Sequence, residues 1–265
     1  MSKRKRRPRL AGGPRPAGRA GSAIGSAPWL YGTHAVRAAL ANPARSCRRL
    51  LATAETARAL APLPETAPDP EIVSRDELAR RLPAGAVHQG LALLADDLPP
   101  ADLASACAPG AEGRDVVLAL DRVTDPRNVG AILRAAAAFG ARAVIVTRRH
   151  APEATGALAK AASGALETVP LVRVVNLARA LDDLGTMGYW RLGLDPAAPE
   201  TLAAVKPTGP VALVLGAEGA GLRRLTGTKC DLAARLAVAP GVQSLNVAAA
   251  AAVALYELAR DSTEG

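Results

Sequence analysis

The chain has 265 residues, of which 49% are hydrophobic and only 2% aromatic, so its core must be built from alanine, leucine and valine. This length suggests one large domain or two smaller ones. Three widely spaced cysteines, with no CxxC pair and no histidine nearby, argue against a disulfide framework or a zinc site and fit a reducing cytoplasm. These spacings lead us to expect no bound metal. No stretch reaches the length of about 18 consecutive apolar residues that a membrane span needs, so we expect no membrane anchor.

The net charge of +9 is concentrated at the N-terminus. Residues 1–28 carry eight Lys and Arg and no acidic residue, which leaves the rest of the chain at +1. Because it is rich in Gly, Pro and Arg, this basic tail is expected to be disordered, with a polyanion such as nucleic acid as its partner. A solubilising appendage explains the same composition equally well.

A small α/β unit is predicted for residues 29–95. A helical pattern begins near His34, Arg49–Ala52 is strand-like, and Ser74 opens a capping box for a second helix. Val87–Leu94 is apolar enough for a buried strand. This order of elements predicts a compact unit that precedes the main domain.

Residues 96–114 contain three prolines and two glycines and are predicted to be an interdomain linker. From residue 115 to 265, short apolar runs alternate with helical patterns. Six of these runs are predicted to be strands: Val116–Leu120, Ala143–Val146, Val169–Val174, Tyr189–Leu194, Val211–Gly216 and Arg235–Val238. Such alternation indicates an α/β fold in which a largely parallel sheet has helices on both faces.

One arginine stands in an otherwise apolar helical segment after the first of these strands. Asn128 is expected to cap this helix, and from Val129 to Ala141 only Arg134 has a polar side chain. A buried guanidinium keeps its charge and is rarely unpaired, so Arg134 needs a specific role. A structural ion pair is the simpler role, and a function in chemistry is the alternative.

Two further loops follow predicted strands, where ligands bind in open α/β sheets. The glycine loop 216–222 has the spacing G-x-x-G-x-G, which is neither the dinucleotide turn nor a Walker loop. Glu218 within it is suited to orient an arginine or bind a hydroxyl, although simple turn polarity also explains it. In the second loop, Ser244 and Asn246 are good helix caps.

Three segments occur in order along the chain: DPRNVGAILRAAAAFGA, LVLGAEGAGLRRL and SLNVAAAAAVALYE. Together they resemble the signature motifs of the SpoU/TrmH family of RNA ribose 2′-O-methyltransferases, in the SPOUT superfamily. The N-terminal LYGTHAVRAAL and VHQGLAL resemble the small RNA-binding domain of that family, which is ribosomal-protein-L30-like. Pro240 stands where the family commonly has glycine.

The resemblance implies a smaller N-terminal L30-like α/β domain and a C-terminal parallel-sheet domain closed by a trefoil knot, which is a rare exception among protein chains. It implies S-adenosylmethionine as cofactor, held mainly by backbone groups at Gly216, Leu236 and Leu245. It also implies a homodimer formed through the knotted domain, with each active site drawing on both subunits.

The resemblance also assigns five polar positions to the active site: Asn128, Arg134, Glu218, Ser244 and Asn246. Arg134 would be the base that accepts the proton of the ribose 2′-hydroxyl, directly or through an RNA phosphate. An arginine pKa above about 12 makes stabilisation of the developing alkoxide an equally good role.

The domain order favours a cytoplasmic enzyme that methylates a guanosine of large-subunit rRNA. The alternatives are a tRNA ribose 2′-O-methyltransferase and a non-catalytic RNA-binding ribosome-assembly factor on the same fold. A dinucleotide-dependent oxidoreductase is excluded, because the G-x-G-x-x-G turn and its downstream carboxylate are missing.

Overall fold

The computed structural model describes residues 28–110, 115–205, 207–239, 241 and 244–260, which form two β-sheets. The predicted basic tail lies outside the described residues except for Pro28, and Pro240 also lies outside them. We refer to residues 28–95 as the small unit and to the described residues from 115 onward as the large unit.

The small unit contains a four-stranded sheet in the order β1-β4-β2-β3, in which β2 and β3 are parallel and the other pairs antiparallel. The strands are β1 Trp29–Tyr31, β2 Cys47–Ala52, β3 Pro70–Ile72 and β4 Leu91–Ala95. The helices are α1 Thr33–Ala41, α2 Ala54–Leu60 and α3 Arg75–Arg81.

The predictions for the small unit are confirmed in two places and corrected in a third. Helix α1 begins beside His34, and the Ser74 hydroxyl accepts the Glu77 N–H of α3 at 3.2 Å. The strand predicted for Val87–Leu94 begins only at Leu91. Gln89 and the following glycine adopt the left-handed region at φ 56° and 76°, which extended backbone does not allow.

The segment predicted to be a linker packs on the large unit in its described part, 96–110. It contains the short helix α4, Leu103–Ala106, and Ala101 forms a parallel bridge to Val172. The Tyr189 hydroxyl donates to the Cys107 carbonyl at 3.0 Å, and the Cys107 side chain is fully buried.

The large unit contains a six-stranded sheet in the order β10-β8-β9-β5-β6-β7, and every described pairing in it is parallel. The strands are β5 Val116–Asp121, β6 Ala143–Thr147, β7 Leu171–Val174, β8 Trp190–Leu194, β9 Val211–Gly216 and β10 Leu232–Ala234. The predicted α/β fold with a parallel sheet is therefore confirmed.

The helices cover both faces of this sheet. They are α5 Pro126–Ala138, α6 Gly156–Ala162, α7 Leu177–Thr186, α8 Arg224–Gly227 and α9 Val247–Arg260, with a 3₁₀ turn at Ala165–Glu167. Side chains of α5, α6 and α9 share one core with one face of β5, whereas α7 packs on the opposite face. Strands buried on both faces explain the unbroken apolar runs in the sequence.

Two local predictions for the large unit are wrong. The last strand is not Arg235–Val238 but Leu232–Ala234, because Arg235 leaves the sheet and bridges to Thr201. Helix α5 is capped not by Asn128 but by Asp125, whose carboxylate accepts the Arg127 N–H at 2.8 Å. The proline that follows Asp125 is preorganised for the first helical position, so the helix begins earlier than predicted.

The C-terminal segment returns from the edge of the sheet to its middle. After β10 at the edge, the chain reaches α9, which packs on α5 and β9. This path is consistent with a trefoil knot, which stays a prediction.

Candidate active site

Loops at the carboxyl ends of β8 and β9 line a cavity of the large unit with a volume of about 810 Å³. Its walls are formed by residues 194–197, 215–222, 235–238 and 244–250, in part. Gly216, Leu236 and Leu245, the three residues predicted to contact a cofactor, all line it. The structure thus gathers on one cavity these three residues, which are up to 29 positions apart in sequence.

The glycine loop owes its shape to close backbone packing. Gly219 and Gly221 have φ of 74° and 63°, a conformation that favours glycine. A Cβ added to Gly216 would lie 2.1 Å from the backbone carbon of Gly221, so any side chain there would push the loop open. A side chain at position 216 would consequently displace the glycine loop that forms this wall of the cavity. It would not simply occupy space inside the cavity.

A buried carboxylate anchors the glycine loop to the sheet. Asp121, at the end of β5, is fully buried and accepts the Arg223 backbone N–H at 3.0 Å and the Arg223 Nε at 2.7 Å. Sequence reasoning assigned no role to either residue. The sequence did offer one sign of this contact: Asp121 directly follows an apolar strand, and a buried carboxylate rarely lacks a partner.

Three of the predicted polar residues form one hydrogen-bonded cluster beside the cavity. The Asn128 amide donates to Glu218 Oε1 at 3.2 Å. The Asn246 amide nitrogen lies 2.5 Å from the same oxygen and 3.1 Å from Asn128 Oδ1. Because Asn128 is in the first turn of α5 and is not its cap, its side chain is free for these contacts.

The cluster is also held by the start of α9. Asn246 caps this helix, accepting the Ala248 N–H at 3.0 Å, as its residue type predicted. The Val247 N–H donates to Glu218 at 3.3 Å, which places a carboxylate at the positive end of the helix dipole. The Glu218 carboxylate and the Asn246 side chain are therefore held by backbone N–H groups of α9 as well as by hydrogen bonds within the cluster.

Ser244 and Arg134 do not join this cluster. Ser244 lines the cavity, but its hydroxyl has no hydrogen-bond partner among the described residues. Arg134 is exposed, which contradicts the prediction that it is buried, and it forms no ion pair with any residue in the described part of the chain. It projects from the side of α5 opposite to its core face, next to the exposed Ala137 and Ala138.

The described residues contain no group of three or more His, Cys, Asp or Glu side chains placed to hold a metal ion. Within the same part of the chain, every helix is too short or too polar to cross a membrane.

Comparison with known proteins defines the class of the molecule. The model of the SpoU rRNA Methylase family matches residues 115–256, and the model of RNA 2′-O ribose methyltransferase substrate binding matches residues 29–101. The chain therefore belongs to the SpoU family.

Individual relatives extend over nearly the whole chain. It is 38% identical to the 23S rRNA (guanosine-2′-O-)-methyltransferase RlmB of Pseudomonas aeruginosa, covering 88% of this chain and 96% of the relative. It is 40% identical to the RlmB of Ralstonia nicotianae, covering 87% and 94%. The crystal structure of the SpoU methyltransferase AviRb from Streptomyces viridochromogenes superposes with a TM-score of 0.74 at 26% identity, covering 89% of this chain and 90% of AviRb.

Proposed function

We propose that this protein transfers a methyl group from S-adenosylmethionine to the ribose 2′-hydroxyl of a guanosine in large-subunit rRNA. The observation that carries the proposal is the Asn128–Glu218–Asn246 cluster beside the 810 Å³ cavity. The identity to RlmB proteins over nearly their whole length supports rRNA as the substrate. An enzyme with this substrate would act in the cytoplasm.

The cavity fits S-adenosylmethionine in size and in chemistry. Gly216 would present backbone groups to the cofactor, and Leu236 and Leu245 would supply apolar surface. When bound, the cofactor supplies an electrophilic methyl group on a sulfonium. The Gly216 backbone packs against Gly221, so the shape of this wall is set by contacts within the protein.

The polar cluster would position the ribose. Its amide and carboxylate groups are held by backbone N–H groups and by each other, so they lose little freedom on binding RNA. Holding the 2′-hydroxyl in line with the methyl group supplies much of the rate in a transfer of this kind. Ser244, on the cavity wall and with its hydroxyl unengaged by described residues, would contact the ligand.

Arg134 would stabilise the oxygen as its proton leaves. An arginine with a pKa above about 12 is a poor base but a permanent cation, and a cation aimed at a developing alkoxide lowers the barrier. Within one chain, Arg134 makes no hydrogen bond or ion pair with the residues of the Asn128–Glu218–Asn246 cluster. The arginine that serves each site would therefore come from a second copy of the chain.

An exposed apolar surface supports such a homodimer. On α9, Val253 and Tyr256 are 47% and 54% exposed, and the Tyr256 ring contacts Phe139 at the end of α5 edge to face. Exposed alanines of α5 lie in the same region as Arg134. Contiguous apolar surface of this kind marks interaction sites.

We also propose a division of labour along the chain. Residues 29–95 would bind the RNA substrate, residues 96–114 would link the domains, and residues 115–265 would form the knotted methyltransferase domain. The basic tail, 1–28, would add RNA affinity through its charge.

The substrate is tested with radiolabelled S-adenosylmethionine and two RNAs, a large-subunit rRNA transcript and bulk tRNA. We expect label in rRNA only, at a single guanosine when modified riboses are mapped by primer extension. Label in tRNA would favour the tRNA enzyme. Cofactor binding without transfer to either RNA would favour an assembly factor.

The shared active site is tested by mixing two inactive variants, Arg134→Ala and Asn246→Ala. If Arg134 serves the partner's site, each mixed dimer has one intact site, and random mixing restores about one quarter of the wild-type activity. If Arg134 serves its own chain, no site is intact and the mixture stays inactive.

A further inference from the structure

The small unit contacts the large unit along one continuous interface, which α6 and the following 3₁₀ turn provide. The contacting residues Gly156, Lys160, Gly164 and Glu167 are spaced three or four positions apart. Gly156 and Lys160 lie on one side of α6, and Gly164 and Glu167 continue the interface in the turn that follows the helix.

At the first end of the interface, the two units touch backbone to backbone. A Cβ added to Gly156 would lie 2.3 Å from the Trp29 carbonyl oxygen and 2.4 Å from the Tyr31 ring. One turn further, the Lys160 ammonium lies 3.4 Å from the Gln89 side-chain oxygen, which also accepts the Thr33 N–H at 3.1 Å. Only glycine permits the approach seen at Gly156.

At the other end, the interface is closed by a buried ion pair between the two units. Arg45 donates to both carboxylate oxygens of Glu167, at 2.6 and 3.1 Å, and these side chains are only 2% and 4% exposed. The third guanidinium nitrogen donates to the Asp96 carbonyl at 2.7 Å. Asn42 adds a hydrogen bond to Glu167 at 2.8 Å. A two-pronged arginine–carboxylate contact fixes direction as well as distance.

Buried ion pairs contribute little net stability compared with apolar residues of the same volume, and their best-attested use is to select one arrangement over others. Here the alternatives are other orientations of the small unit. On its opposite side α6 packs against α5, where a Cβ added to Gly130 would lie 2.5 Å from the Leu158 carbonyl oxygen. Helix α5 carries Asn128 in its first turn. Close contacts thus lead from the small unit to the polar cluster.

We propose that the α6 interface, closed by Arg45 and Glu167, fixes the orientation of the RNA-binding unit and thereby selects which ribose reaches the active site. Arg45 and Glu167 are positioning residues in this proposal, which rests on the proposed RNA methylation. A fixed distance would then separate the methylated ribose from the RNA segment that the small unit binds.

The first test is Glu167→Gln, which keeps the shape of the side chain but leaves the Arg45 charge buried without its counter-ion. Displacement of reacting groups by about 1 Å can reduce a rate about 100-fold, so we expect a loss of this size in kcat/KM on rRNA. Affinity for S-adenosylmethionine should be unchanged, because neither residue of the pair lines the cavity. Small-angle X-ray scattering should report a wider distribution of shapes.

The matched control is Asp182→Asn. It breaks the Lys229–Asp182 pair of the large unit, whose side chains are 33% and 47% exposed. Asp182 belongs to α7, on the face of the sheet opposite to α6. Activity and scattering should stay as in the wild type. If Glu167→Gln does not fold, Asn42→Ala removes the hydrogen bonds that the Asn42 amide donates to the carboxylate and the carbonyl of Glu167, and it should give a smaller change in the same direction.

The second test lengthens the linker by a short Gly-Ser insert between Pro99 and Pro100, which are both exposed. If the interface fixes the small unit, the insert alone leaves methylation rate and target unchanged, and it deepens the loss caused by Glu167→Gln. The proposal is overturned if the insert alone abolishes methylation, or if Glu167→Gln retains both the compact scattering and the target. Scattering needs no activity, so it still decides the proposal if neither RNA is methylated.

Discussion

The buried Asp121 carboxylate gives the sharpest test of how the fold supports the cofactor cavity. Changing Asp121 to asparagine keeps the size of the side chain but removes its charge and replaces one acceptor oxygen with a donor. That donor would face either the Arg223 backbone N–H or the Arg223 Nε, which now contact Asp121 at 3.0 and 2.7 Å. One of the two contacts must therefore break.

The magnitude follows from these two contacts. Hydrogen bonds to charged groups contribute about 1.5–3 kcal/mol each. The Arg223 side chain is 41% exposed, which lowers the value of the contact with its guanidinium. We therefore expect Asp121→Asn to lower the free energy of unfolding by about 1.5–3 kcal/mol, the value of the one contact that breaks. Arg223 directly follows the glycine loop, so loss of this contact should also loosen the cavity wall. Each 1.4 kcal/mol of lost binding free energy is a factor of ten in Kd, and we expect affinity for S-adenosylmethionine to fall about tenfold or more.

Urea unfolding and titration calorimetry with S-adenosylmethionine measure the two effects, and Asp231→Asn is the matched control. Asp231 accepts the Arg191 backbone N–H and the Arg191 Nε, both at 2.9 Å, but at the amino end of β8 and away from the cavity. That arginine also holds the pKa of Asp231 below its ordinary value. The control should lose stability and keep cofactor affinity. Equal weakening of affinity in both variants would refute the anchoring argument.

Three further outcomes are expected. Arg134→Ala should lose nearly all methyl transfer while it keeps cofactor affinity and the dimer, and full activity of Arg134→Lys together with misfolding of Arg134→Ala would assign the residue to structure. Burial raises the pKa of the Cys107 thiol to about 11, so on raising the pH the unfolded state loses this proton before the folded state does. The free energy of unfolding of the wild type should therefore decline more steeply above pH 9 than that of Cys107→Ala. Parallel pH curves for the two proteins would contradict this. Deleting the basic tail, residues 1–28, should flatten the slope of log K against log salt for RNA by about 3 if half of its eight charges engage phosphates, and identical slopes would make the tail a solvated appendage.

Much of the fold was predictable because its information is local. The buried parallel strands are continuous apolar runs, and the helix caps at Ser74 and Asn246 follow from residue type. The polar cluster was predictable in composition from the motifs, although its hydrogen bonds join residues 28 to 118 positions apart. The anchor from Asp121 to Arg223 spans 102 positions, and no short-range pattern announces it.

Two of the errors, the burial of Arg134 and the position of the last strand, share a physical cause. Alanine is accepted in cores and on surfaces alike, so an alanine-rich helix does not reveal which of its sides is covered. The burial of Arg134 was inferred from apolar neighbours, yet Ala137 and Ala138 beside it are exposed. The last strand was misplaced for a similar reason, since Leu236, Ala237 and Val238 are apolar but form a wall of the cavity.

The chain contains only two tryptophans, and one opens a strand in each unit: Trp29 in β1 and Trp190 in β8. Each sheet thus carries its own intrinsic fluorophore, and single replacements with phenylalanine would separate the two emission signals without any added dye. Trp29 also lies at the glycine contact with α6, whereas Trp190 is 40% exposed at the amino end of its strand. Thermal unfolding of the small unit and of the large unit can therefore be recorded separately in the intact protein. Coincident midpoints of the two transitions would show that the units unfold cooperatively.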